Sequence, residues 1–491
     1  MQFNSVNFLI FFPIVVILYY IIPKRFKKIW LLAASYFFYM SWNAKYASLI
    51  AFSTVTTFFV GLRLQRAKYK KLVLGIGITV NIGLLFFFKY FDFFIHSMNM
   101  VFGRMHLKVL NNPFNLVLPV GISFYVFQAV GYIIDVYRGE IEAENNIVNY
   151  ALFVSFFPQL VAGPIERSKN LLRQIKENTQ KVRPEYLKIT NGLIYMLYGL
   201  FMKMVISDRV AILVDNVFDH YDRYGGLELL VAAVCFSIQI YCDFSAYSTI
   251  AIGAAEVMGF TLMENFHAPY FATSIADFWR KWHISLSTWL RDYVYIPLGG
   301  NRKGKIRKDI NLFITFFISG LWHGASWTYV LWGIFHAVCQ IIGEHTKNVR
   351  IRIYELCGVN TKGVCYKAAK MLTTFLLVTL GWIMFRASGI RNGINYIIHI
   401  VTRWNPWAIR NQCLWNLGLD HYEWMILLGS LWILLLVDLI RLKTGKRIDL
   451  FLTEQGAFVK GCFVFLLVMM IFIYGKYGEG YDAKQFIYFQ F

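Results

Sequence analysis

Charge is scarce in this sequence. Asp, Glu, Lys and Arg make up 16% of its 491 residues, against about 25% in ordinary soluble domains. Hydrophobic residues supply 57%, where soluble domains hold about 45–50%, so a soluble core large enough to hide them is excluded. Acidic residues are rarer than basic ones, 28 against 49, which leaves a formal charge of +21. The cations sit in short clusters between apolar segments, not on one contiguous basic face, so they read as topology signals and not as a nucleic-acid surface. Seven cysteines are scattered with no CxxC pair and no zinc-like Cys/His spacing, so neither a disulfide framework nor a metal site is expected. GxSxG, Walker and HExxH motifs are also missing, which removes local support for hydrolase, ATPase and zincin chemistry.

What the sequence does have is long apolar runs. They recur from residue 5 to residue 475, and runs of roughly 17–25 such residues cross about 30 Å of hydrocarbon as helices. The expected fold is therefore all-α and polytopic, with about ten transmembrane helices plus re-entrant and interfacial pieces. The first apolar run lacks a basic stretch before it and a cleavage site after it, so it reads as a retained helix, with the mature chain starting at or near Met1. Pro23-Lys-Arg-Phe-Lys-Lys28 follows it and is placed in the cytoplasm by the positive-inside rule, which puts the N-terminus outside. Arg63, Arg66, Lys68, Lys70 and Lys71 fall where parity requires the next inside loop. The run near 147–163 carries Pro158 and Gly163 and reads as re-entrant, a form tolerated at membrane depth only when buried in protein. Parity places both termini outside, and with them the acidic loop of Asp215, Asp219 and Asp222. It places 386–421 outside as well, although that stretch carries Arg386, Arg391, Arg403 and Arg410; Trp404, Trp407 and Trp415 suit an interfacial segment there.

Four places could carry chemistry. In Ala276–Tyr293, positions 279, 282, 286, 289, 290 and 293 form an apolar stripe at helical spacing, the pattern of one helix lying in the cytoplasmic interface. An anchor helix is the plain reading, and His283 beside Trp282 is what it leaves unexplained. The apolar stretch 310–343 is broken by Gly320, His323 and Gly324, which suggests two segments entering and leaving from one face with His323 at the buried turn. A histidine at such depth is either a hydrogen-bonding strut between helices or a functional base. In Tyr241-Cys-Asp-Phe-Ser-Ala-Tyr-Ser248, Asp243 either orients a substrate or pairs with a cation elsewhere in the bundle. Glu166 and Arg167 read as a solvated loop or a cavity mouth.

Taken in order, Pro119–Phe124, Tyr241–Ser245, Met263-Glu-Asn-Phe266, Phe278-Trp-Arg-Lys-Trp-His-Ile-Ser-Leu-Ser287 and Gly320-Leu-Trp-His-Gly324 resemble the membrane-bound O-acyltransferases of the bacterial alginate O-acetylation type. The start Phe3–Leu9, the segment Gly381–Arg386 and the ending Phe486–Phe491 are similar too. The resemblance implies one transmembrane domain over 1–491, with core motifs at about 115–343 and peripheral helices at 1–95 and 368–475. It also implies a ring of helices around a funnel and tunnel. His323 would then be the catalytic base and His283 the second catalytic histidine, with Trp282, Trp322, Asp243, Tyr247 and Asn265 lining the tunnel. No bound cofactor is implied. The acyl donor would be a cytoplasmic thioester, acetyl-CoA or another, and the acceptor a hydroxyl of an extracytoplasmic polysaccharide or of a partner protein, with an extracytoplasmic acyltransferase partner completing the transfer. The chain would sit in the cell (plasma or inner) membrane as a multi-pass protein. Two other readings stand beside this one: D-alanyl transfer to teichoic acids, and a non-catalytic transporter.

Overall fold

A computed structural model describes residues 1–112, 114, 118–181 and 184–477; the ending 486–491 and the C-terminus lie outside them. Every regular element among the described residues is helical. Six helices are long and apolar enough to cross a membrane, the longest covering Lys70–Arg104 and Gly226–Val257, and Val6–Ile21 and Ile122–Tyr137 are shorter apolar helices. The chain divides into two compact units, one formed by residues 1–196 and 248–263, the other by 197–247 and 264–491.

In the first unit, small residues set how closely helices approach. A Cβ on Gly61 would fall 2.8 Å from the Tyr132 ring, and one on Gly77 would fall 2.8 Å from Val60. Where the helix beginning at Tyr186 crosses the end of Gly226–Val257, Gly192 and Gly253 face each other: a Cβ on either would meet the other's carbonyl oxygen, at 2.6 and 2.5 Å. Without a hydrophobic drive between helices in lipid, such close backbone packing is a main source of cohesion.

The expected re-entrant piece is present and broken at Phe156, between helices Ile147–Ser155 and Phe157–Leu160. Proline cannot continue a helical ladder because it lacks the N–H and its ring crowds the preceding turn, so Pro158 ends the first helix. The backbone groups this frees find side chains. Gln128 Nε2 and Gln159 Nε2 donate to the Phe153 carbonyl at 2.8 and 2.9 Å, and the Phe157 N–H donates to Ser35 Oγ at 3.1 Å. Phe153, Phe156 and Phe157 are fully buried, which meets the condition for irregular backbone at membrane depth.

Glu166 is not in a solvated loop, as its sequence context suggested. It is 2% exposed, accepts from the Met263 N–H, and accepts from Asn170 Nδ2 at 2.7 Å. Burial pushes its carboxyl up to about 7 against the pull of these hydrogen bonds. It ties the loop after the re-entrant piece to the segment leaving helix Gly226–Val257.

In the second unit, the acidic stretch 215–222 and the cation-bearing stretch 386–421 pack together. Arg386 reaches Asp215 at 2.9 Å and Asp219 at 3.3 Å, while Asn405 donates to Glu228 at 3.0 Å. The two loops therefore share one side of this unit, as parity requires, and Arg386 stands among carboxylates that offset its charge.

Candidate active site

Helix Lys305–His323 ends on His323, and helix Trp327–His345 returns beside it. The turn between them is short because glycines stand where a side chain would collide. A Cβ on Gly320 would lie 2.4 Å from the Tyr329 carbonyl oxygen, one on Gly324 would lie 2.2 Å from the Tyr329 ring, and one on Gly333 would lie 2.3 Å from the Phe316 carbonyl oxygen. His323 is thus at the buried turn that the sequence indicates, and is 2% exposed. Its ring meets Trp322, Trp332 and Phe385 edge to face, at 5.0, 4.8 and 5.5 Å.

The stretch 276–293 is not one helix. Helix Ile275–Lys281 stops, His283 takes a left-handed backbone conformation at φ 43°, and a second helix runs Ile284–Leu290. Trp282 and Leu286 are completely buried and Trp279 and Trp289 nearly so, so the aromatic stripe is spent on protein packing, not on lipid. Histidine is among the non-glycine residues that visit this backbone region most readily. Asn265 holds the break: its carbonyl accepts from the Ile284 N–H at 3.0 Å and its Oδ1 accepts from the Ser285 N–H at 3.2 Å.

The same Asn265 Oδ1 lies 3.4 Å from His283 Nδ1. Because Oδ1 already accepts a backbone N–H, the tautomer that suits it carries its proton on Nδ1, leaving Nε2 as the acceptor. Burial outside the spanning helices pushes the His283 imidazolium down to about 3, so the ring is neutral at physiological pH. His283 and His323 stand 6.5 Å apart between ring centres, with Trp322 5.6 Å from His283. Trp282 packs on Phe266 at 5.0 Å, next to Asn265. Of the sequence-indicated residues, His323, His283, Trp282, Trp322 and Asn265 are thus brought into one cluster.

Asp243 and Tyr247 take part in an ion cluster. Lys203 Nζ lies 2.6 Å from Asp243 Oδ1 and 2.8 Å from Asp208 Oδ1, and 5.8 Å from the centre of the Tyr247 ring. All four side chains are buried. Of the two readings of Asp243, the cation pair is the one the geometry contains. Lys203, Asp208 and the buried pair Tyr241–Asp438, 3.0 Å between Tyr241 OH and Asp438 Oδ1, went unremarked in the sequence. Their signal was present all the same, as ionisable residues within apolar runs.

A cavity of about 1100 Å³ opens beside the two histidine-bearing segments, larger than the roughly 300–1,000 Å³ of most small-molecule clefts. Arg280, Arg291, Lys308, Lys347, Arg350 and Lys370 line it against a single carboxylate, Glu344. Its lining includes Phe316 and Ser319, which precede His323 by about two turns and one turn on the same face of its helix. The arrangement can take a molecule with a polyanionic head in the cavity and an uncharged arm directed along the helix toward His323.

Residues 140–350 match the family model described as MBOAT, membrane-bound O-acyltransferase family. The chain is 39% identical over 398 residues to the probable alginate O-acetylase AlgI of Pseudomonas putida, covering 79% of this chain and 78% of that one. It is 35% identical over 428 residues to the peptidoglycan O-acetyltransferase of Helicobacter pylori, covering 80% and 79%. Similarity to the teichoic acid D-alanyltransferase of Bacillus subtilis is lower, 29% over 244 residues and 48% of this chain. The matched span contains the histidine hairpin, the Asn265–His283 break and most of the basic cavity, and with the two longer relatives it shows that the chain belongs to the membrane-bound O-acyltransferase family.

Proposed function

We propose that this O-acyltransferase moves an acetyl group from acetyl-CoA in the basic cavity to a hydroxyl of an extracytoplasmic polysaccharide. The observation that carries the reading is the alignment of three parts: a cavity with six cations and one carboxylate in its lining, His323 about one turn beyond Ser319 of that lining, and the neutral His283 beside it. The cations suit the phosphates of the donor, which remain in the cavity, while the uncharged arm extends toward the histidines. His323 takes the proton of the acceptor hydroxyl as its oxygen attacks the thioester carbonyl. The tetrahedral intermediate collapses with departure of the thiolate back toward the cavity, and the proton held on His323 returns to it. His283, held by Asn265, shapes the passage beside His323, 6.5 Å away between ring centres. Trp282 and Trp322 shape the passage. Asp243 and Tyr247 hold its frame through Lys203. The attacking hydroxyl belongs to the polysaccharide itself or to an extracytoplasmic acyltransferase partner that completes the transfer to it.

The relatives that act on alginate and on peptidoglycan cover more of this chain than the teichoic acid enzyme, and that supports an acetyl group over D-alanine. Mass spectrometry of surface polymers from a deletion strain tests the choice. Loss of acetyl esters is the expected result, and loss of D-alanyl esters with acetyl esters intact would overturn it.

The proposed orientation places the chain in the plasma or inner membrane with both termini outside. Cys413 lies in the stretch that packs with the acidic loop, and is partly exposed, whereas Cys357 and Cys365 are exposed on the basic segment 347–370. A membrane-impermeant maleimide on intact cells is therefore expected to modify Cys413 and to reach Cys357 and Cys365 only after permeabilisation. The reverse order would invert the topology.

A further inference from the structure

A third histidine is buried in the second unit near the two already described. His336 sits in helix Trp327–His345, fully buried, and neither of its ring nitrogens meets a hydrogen-bond partner among the described residues. Aromatic rings enclose it: Trp332 at 5.0 Å, Trp279 at 5.2 Å, Phe335 at 5.7 Å, and Phe278 and Phe316 at 6.4 Å. The Trp279 and Trp332 indole nitrogens, also buried, likewise have no partner among the described residues. Three polar side chains thus share one apolar pocket with no acceptor for their N–H groups. Burying such groups unpaired is unfavourable, and Phe in place of His336 would fill the same cage without that cost.

The position explains what the group is for. Trp279 and Phe316 line the basic cavity, and both rings pack on His336, so His336 is the first ring behind the inner wall of that cavity. Cys339 and Gln340, about one turn further along the same helix face, line the cavity as well. On the far side Trp332 touches His336 at 5.0 Å and His323 at 4.8 Å. His336 therefore stands between the cationic chamber and the proposed base, on the line an uncharged arm must follow.

We propose that His336 binds the arm of the thioester donor, which reaches it past the Trp279 ring. A neutral imidazole presents one donor and one acceptor, the pair that an amide requires, and the pantetheine arm of an acyl thioester carries amides; the Trp279 and Trp332 N–H groups add donors for carbonyl oxygens. This inference rests on the thioester-donor reading above.

The test is equilibrium binding of acetyl-CoA and of acetyl-pantetheine to the full chain in lipid nanodiscs, with thermal unfolding and acetyl transfer measured on the same preparations. For His336→Phe the expected result is Kd raised about tenfold for both ligands, the scale of one lost buried hydrogen bond, with an unfolding midpoint equal to or above wild type. His336→Gln, which keeps a donor and an acceptor, is expected to recover most of the affinity. Wild-type affinity in His336→Phe, or a loss confined to acetyl-CoA, would overturn the inference, the latter by placing the contact on the nucleotide. So would failure of His336→Phe to accumulate, because the imidazole nitrogens would then serve the fold and not the donor. Wild-type protein that neither binds acetyl-CoA nor transfers acetyl groups would overturn the donor reading and this inference together. Wild-type transfer with an indifferent His336→Phe would overturn this inference alone.

Discussion

His323→Ala is expected to remove acyl transfer while the protein still inserts and accumulates. Loss of a general base typically costs about 10²–10⁴-fold, and an enclosed site has no bulk water to act in its place. The ring is 2% exposed and bounded by Trp322, Trp332 and Phe385, so the variant opens a small void among rings that remain packed on one another. The turn itself depends on Gly320, Gly324 and Gly333, none of which the substitution disturbs. Single-turnover transfer at saturating donor, with variants matched for expression, separates chemistry from folding. Retained donor binding with lost transfer assigns His323 to the chemical step. Turnover near wild type would remove it from the mechanism and revive a transporter. His283→Ala is expected to impair transfer as well, and its dependence on Asn265 gives it a signature of its own: Asn265→Ala should reproduce part of the defect by releasing the His283 ring.

Lys203→Met is expected to be the most damaging single change to the fold. Lys203 stands between Asp208 and Asp243 at 2.8 and 2.6 Å, with all three side chains at most 3% exposed. Methionine fills much of the same volume but leaves two buried carboxylates facing one apolar thioether. Breaking a buried pair by removing one partner costs about 3–5 kcal/mol, and about 1–2 kcal/mol already changes abundance several-fold in cells, so accumulation should fall severalfold or more. Restoring balance should restore protein: Lys203→Met combined with Asp243→Asn and Asp208→Asn removes both stranded charges and is expected to recover expression. Quantifying membrane-inserted protein for the single and triple variants measures this. Wild-type levels of the single variant would show that the cluster carries no such charge balance.

Much of this arrangement was legible in the order of residues, and the exceptions have physical causes. Glycines around His323 in an apolar run announced a tight buried turn, since only backbone without Cβ admits the contacts that Tyr329 makes there. Proline and glycine in a short apolar run announced the re-entrant piece. Helical spacing in 276–293 was real, but apolar spacing does not register a local change of backbone, so the break at Trp282, extended, and His283, left-handed, was hidden. The same spacing cannot tell lipid from protein as the solvent of an apolar stripe. Asp243 was left between two roles because its partner Lys203 is 40 positions away. His336 carried the same signal as His323, an ionisable ring in an apolar run, but lacked adjacent glycines to set it apart. Glu166 seemed solvated because its neighbours are polar, whereas its partner Met263 is remote in sequence.

The crossing of Gly192 and Gly253 constrains how this lineage can change. Most tight contacts have an escape by compensation, in which one residue grows while its neighbour shrinks. Here each glycine abuts the other's backbone carbonyl, at 2.6 and 2.5 Å from a would-be Cβ, and a backbone oxygen cannot be made smaller by substitution. Neither a single replacement nor any paired replacement at these two sites relieves the collision. Divergence at this point must wait for the helices themselves to move apart, so the two positions are expected to stay fixed long after the surrounding apolar surface has drifted.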